Sequence, residues 1–151
     1  MGISARSSTR SSAKASRLSN KAIAKVLAGK ASSNANAARL MKDVPSHQIG
    51  DEVFGNNVQR AVEKWCKAMI AWKGHRYPFT HDIGELLEAA EKAGLTKPAD
   101  VNADLAETLT DYAEKERYES VRRGPPLDRD ALSALLDAVA SWVDSVGVRK
   151  G

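Results

Sequence analysis

The sequence predicts an all-α protein: an up-down antiparallel helical bundle of four to five helices behind a basic N-terminal arm. Three observations point there. After about residue 50, apolar residues recur at steps of three and four through four successive segments. No segment sustains the period-two alternation that a half-buried strand needs. Gly and Pro fall between the segments, and connections that short lay neighbouring helices antiparallel.

The arm, residues 1–45, comes first. Residues 1–42 carry nine Lys or Arg and no acid, whereas the remainder carries 14 basic and 19 acidic residues. The net charge of +4 therefore hides a cationic arm on a mildly acidic body at 46–151. Apart from Met1, Ile3 is the only large apolar side chain among the first 16 residues, too little burial to offset the entropy of ordering. The arm is expected to be largely disordered, or to hold one short helix around Leu18, Ala22, Ile23, Val26 and Leu27, capped by Asn20 and stopped at Gly29. Such a helix is marginal alone and needs a partner surface. Arg6, Arg10, Arg17, Lys21 and Lys25 are the candidate nucleic-acid contacts, by charge alone. A solvated tail and an organellar transit peptide fit the same composition.

The first helix of the body places Phe54, Val58, Ala61, Trp65, Ala68 and Trp72 on one face, widened by Val62 and Met69, and stops at Gly74. The second starts after Pro78 with Thr80 or Asp82 as N-cap, Asp82 and Glu85 having capping-box spacing. It buries Ile83, Leu86, Leu87 and Ala90 and ends at Gly94. The third runs from about Val101 to Tyr118 with Leu105, Leu109 and Tyr112 inward. Gly124-Pro125-Pro126 resets the chain, and the fourth, from near Asp128, packs Leu132, Leu135, Leu136, Val139, Trp142, Val143 and Val146.

Several function classes are excluded at this stage. No apolar run approaches the roughly 18 residues of a membrane span. The start has positive charge but no apolar stretch behind it, unlike a secretory signal. A single cysteine, Cys66, permits no internal disulfide and points to a reducing, cytoplasmic setting. There is no Gly-rich phosphate loop, HExxH, nucleophile elbow or Ca²⁺ loop. His47, His75 and His81 are too few and scattered for a metal centre, so neither a metal nor another cofactor is expected. Cys66 reads as a small buried hydrophobe, and Trp65, Trp72 and Trp142 as core or dimer seam.

The informative stretch is Gly74-His75-Arg76-Tyr77-Pro78-Phe79-Thr80-His81-Asp82-Ile83, with Ala61, Lys64, Lys67 and Ala68 before it and Leu109-Thr110-Asp111-Tyr112 … Arg117-Tyr118 after it. In order and spacing these pieces resemble the HEPN domain (higher eukaryotes and prokaryotes nucleotide-binding) over about residues 50–147. The resemblance implies an all-α, usually homodimeric domain of bacterial defence, toxin–antitoxin or nucleotide-handling systems, often paired with a nucleotidyltransferase. Many relatives are metal-independent ribonucleases using an Arg-x(4–6)-His motif at a dimer cleft. Others lack the motif and bind nucleotides or act as scaffolds.

Arg76 and His81 match that motif literally and are the candidate catalytic pair: imidazole transfers protons near neutral pH, and guanidinium stabilises phosphoryl charge. The match lies in the loop entering the second body helix, with Pro78 inside it, whereas nuclease members carry it on a later helix. Thr80, His81 and Asp82 also read as a capping turn from which His81 bonds to another helix. Tyr112, Arg117 and Tyr118 could stack on a base and hold phosphate, or serve the core and local ion pairs. Lys67, with Lys64 and Lys73, either lines the same groove or faces water. Three functions compete: a nucleotide-binding or regulatory subunit acting with a nucleotidyltransferase, a metal-independent ribonuclease toxin, and a non-enzymatic protein whose arm binds nucleic acid.

Overall fold

A computed structural model describes residues 2–118 and 126–148, with side chains described over 20–112 and 126–148. Five helices follow in order: α1 (Gly2–Met41), α2 (Asp51–Trp72), α3 (Ile83–Lys92), α4 (Ala103–Tyr118) and α5 (Arg129–Val146). Among the described residues there is no strand, and no helix is long and apolar enough to cross a membrane.

α2 is the central element, packing on each of the other four helices. That position explains its composition. Phe54, Val58, Ala61, Val62, Trp65, Cys66, Ala68, Met69 and Ile70 are all buried, so apolar residues occupy most of its circumference rather than one face. Trp72, at its end, is half-buried and carries Lys21 Nζ 3.6 Å from its ring centroid.

α1 departs most from expectation. The segment read as largely disordered or briefly helical is one helix of 40 residues, and it passes through Gly29 instead of ending there. The physical reason is an alanine seam. Ala24, Ala28, Ala31, Ala35 and Ala38, spaced four and three, are at most 2% exposed and belong to the common core. Each methyl contributes only about 0.8 kcal/mol, but small side chains let two helix backbones approach closely, and five in register hold α1 along α2. The core therefore begins well before residue 46.

The remaining helices start and stop on local chemistry. Asp82 caps α3, its Oδ1 accepting from Gly84 N at 2.8 Å and Glu85 N at 3.4 Å. Asn102 Oδ1 accepts from Leu105 N, so α4 starts two residues later than Val101. In α4 the inward face is Ala106, Leu109 and Thr110, with Leu105 and Tyr112 half-buried. Asp128 caps α5 through Ala131 N, and Gly147, at φ +97°, takes the left-handed conformation that closes it.

One polar knot ties the chain ends of these helices. Arg129, in the first turn of α5, donates through Nε to Asp51 Oδ1 at 3.0 Å, through Nη1 to the Met41 and Val44 carbonyls at 2.8 Å each, and through Nη2 to Ile49 O at 2.7 Å. Asp51 Oδ2 accepts from Leu127 N at 3.0 Å, and the Phe54 ring lies 5.1 Å from the guanidinium carbon. The α1–α2 connection is thereby clasped to α5.

Candidate functional site

The bundle places two of the expected residues, Lys67 and His81, on one buried acid. Glu63 projects from α2 with only 7% of its side chain exposed, and its Oε1 accepts from both Lys67 Nζ (3.1 Å) and His81 Nδ1 (2.5 Å). Lys67 is one helical turn on, the i,i+4 neighbour of Glu63. His81 comes from the α2–α3 connection, where Gln59 Nε2 donates to its carbonyl at 2.7 Å. Two anchors from α2 thus fix the imidazole, whose side chain is still 68% exposed. With Nδ1 engaged by the carboxylate, Nε2 is the nitrogen available to solvent.

The cluster lies on a cationic face. From Lys64 to His81 the chain contains no Asp or Glu. Lys64 Nζ donates to Asn34 Oδ1 at 2.8 Å, joining α2 to α1. Burial, together with the charges of Arg60 and Lys30, pulls the Lys64 ammonium below its ordinary pKa. Lys30 and Arg60 have no ion-pair partner among the described residues. Lys67 Nζ also stands 5.5 Å from the Tyr77 ring centroid.

The other expected residues divide. Thr80 and Asp82 serve local structure: Thr80 Oγ1 accepts from Asp82 N at 3.0 Å, and Asp82 is the cap of α3. Arg76 is exposed in the same connection. Tyr112 packs against Gly55, where a Cβ would meet its ring at 3.3 Å; Gly55 is eight residues, or about 12 Å, along α2 from Glu63. Lys21 lies over Trp72 and Lys25 is exposed. The side chains of Arg117, Tyr118, Arg6, Arg10 and Arg17 lie outside the described residues.

Sequence reasoning missed Glu63. An i,i+4 Glu–Lys pair usually marks a solvated face, but Glu63, Cys66 and Ile70 share a side of α2 that is apolar, and this was the available signal. A cavity of about 580 Å³ between α3 and α4, bordered by Glu88, Glu91 and Glu107, brings in none of the expected residues. Among the described residues no group of three His, Cys, Asp or Glu could hold a metal. Cys66 is fully buried, and its thiol is pushed up to about 12, first by burial and then by the Glu63 charge, so it carries no nucleophile.

Comparison with known proteins gives one match. The family model described as HEPN domain covers residues 24–145, from the alanine seam of α1 to the last turn of α5. No curated protein and no solved structure matches significantly.

Proposed function

Because the chain belongs to the HEPN domain family, we propose that it binds nucleotide or RNA phosphate on the cationic face of α2, as a nucleotide-binding or regulatory subunit. In this reading it is a cytoplasmic homodimer that works beside a nucleotidyltransferase in a bacterial defence or toxin–antitoxin system. The supporting observation is the shared Glu63 carboxylate. It holds a largely covered ammonium and an exposed imidazole at fixed positions on the side of α2 that also carries Arg60 and Lys64, so an incoming phosphate meets positive charge and an oriented ring. Lys67 supplies charge, His81 in its imidazolium form donates from its outer nitrogen, and Glu63 positions both.

Thermal unfolding with millimolar ATP, GTP or ADP tests this. A bound nucleotide at a hundred times its Kd stabilises the native state by about 2.7 kcal/mol. Lys67→Ala is expected to lower the unliganded midpoint, because Glu63 loses a partner, and to abolish the further rise that nucleotide gives the wild type. No stabilisation by nucleotide or short RNA, and no co-purifying nucleotidyltransferase, would overturn the reading.

One observation favours the ribonuclease reading in part. A carboxylate on His81 Nδ1 is the arrangement that readies the outer nitrogen to take the proton of a ribose 2′-hydroxyl as its oxygen bonds to the adjacent phosphorus. The P–O5′ bond breaks, the 5′-oxygen leaves with a proton from water, and Arg76 neutralises the developing charge. RNA cleavage that disappears in His81→Ala, with nucleotide stabilisation retained, would select this reading over the regulatory one.

A further inference from the structure

Phe79 stands two residues before His81, and its side chain is fully exposed, at 102% of the reference area. Large aromatics usually bring 150–250 Å² into a core or an interface, and every other aromatic described in the chain is at least half-buried. A floppy loop would make the exposure unremarkable, but this connection is pinned on both sides of the ring. Thr80 N donates to the Pro78 carbonyl at 3.0 Å, Asp82 N donates to Thr80 Oγ1 at 3.0 Å, and Gln59 holds the His81 carbonyl. Pro78 itself fixes one backbone torsion immediately before Phe79.

The two aromatics of this connection differ in a telling way. The Tyr77 ring already faces the Lys67 ammonium, whereas Phe79 has no cation or ring against it among the described residues. Its backbone lies within about 7 Å of that of His81, because two residues of chain span no more than that. Both exposed side chains therefore rise from one short stretch of chain, within the length of a single nucleotide of each other at the backbone. The preceding residues Lys73 and Arg76 are exposed and cationic, and the His75 imidazole beside them is exposed too.

We propose that Phe79 is the stacking platform for an unpaired nucleobase whose phosphate is held by Lys67 and His81. The inference rests on the phosphate-binding reading above and adds to it the recognition of a base. Stacking is tolerant of base identity, since every base offers a π-face, so the platform selects nucleotides from other phosphates rather than one base from another. It also requires the base to be free of a duplex.

The test compares ligands with and without a base. Dissociation constants are measured for ATP and a single-stranded RNA octamer, beside tripolyphosphate and an abasic octamer of the same length, on the full chain and on Phe79→Ala and Phe79→Trp. Phe79→Ala is expected to weaken the base-bearing ligands about tenfold or more, to leave the base-free ligands unchanged, and to keep the unliganded melting midpoint. Phe79→Trp is expected to restore or exceed wild-type affinity. Equal affinity of wild type and Phe79→Ala for the base-bearing ligands would overturn the platform while leaving the phosphate site standing. If Phe79→Ala instead converts a dimer to a monomer with ligand affinity unchanged, the ring is an intersubunit contact and the inference falls. If wild type binds none of the four ligands, the phosphate site itself falls, and the platform with it.

Discussion

Two buried carboxylates on α2, twelve residues apart, meet cations in opposite ways. Asp51 faces Arg129, whose fork is spent on one carboxylate and three main-chain carbonyls at 2.7–3.0 Å, with 12% of its side chain exposed. Glu63 faces Lys67 and His81, and the imidazole remains 68% exposed with its outer nitrogen unengaged among the described residues. The first cluster is closed: each strong donor has an acceptor within the protein, so a ligand has nothing to replace. The second is open on one side: Lys67, 14% exposed, is as covered as Arg129, but the imidazole turns outward. A buried acid alone says little about function. What distinguishes the two is whether the cations around it have capacity left.

The largest test of this contrast is Arg129→Ala. It strands the Asp51 carboxylate and three carbonyls, and removing one partner of a buried pair costs about 3–5 kcal/mol. A urea midpoint far below wild type is expected, with nucleotide binding by the remaining folded fraction unchanged. A mild loss would mean water replaces the clasp, and the closed description would be wrong. Glu63→Gln is expected to act in the reverse proportion. It keeps an acceptor and removes the charge, so the stability loss is about 1–3 kcal/mol, while ligand affinity falls because Lys67 and His81 lose their common anchor. Full affinity in this variant would show that the two donors do not depend on Glu63.

The smallest effect is read through Cys66, one turn from Glu63. Its folded pKa of about 12 lies above the ordinary 9.0. The stability gained from keeping the thiol neutral is therefore fully present below about pH 9 and is lost as pH rises towards 12. An alkaline decline in the melting midpoint over that window, absent in Cys66→Ala, is expected. In Glu63→Gln the window should move slightly to lower pH, since burial dominates the shift and the Glu63 charge adds to it.

Much of the architecture was legible where side chains are large and local rules are strong. The start of α3 at Thr80 or Asp82, the start of α5 near Asp128, the Gly94 stop and the Leu132–Val143 stripe of α5 follow from residue type and spacing alone. The alanine seam of α1 was not, because a search for large apolar side chains passes over methyl groups, and an acid-free composition argued for a tail. Arg129 was invisible for another reason. Three of its four acceptors are backbone carbonyls, which every residue possesses, so no pattern in the sequence marks them. At the site, Lys67 and His81 were legible as chemistry. Glu63 was not, because its role depends on α3 and its preceding loop folding over that side of α2.

The clasp at Arg129 has a consequence for how the chain can diverge. By gripping Met41, Val44 and Ile49 through their main-chain oxygens, it is indifferent to which side chains the α1–α2 linker carries and intolerant of how many residues it has. One inserted residue displaces a carbonyl by up to about 3.8 Å, beyond a hydrogen bond's reach. Homologues are expected to drift freely in spelling across positions 42–49 while keeping the span between helices constant in length.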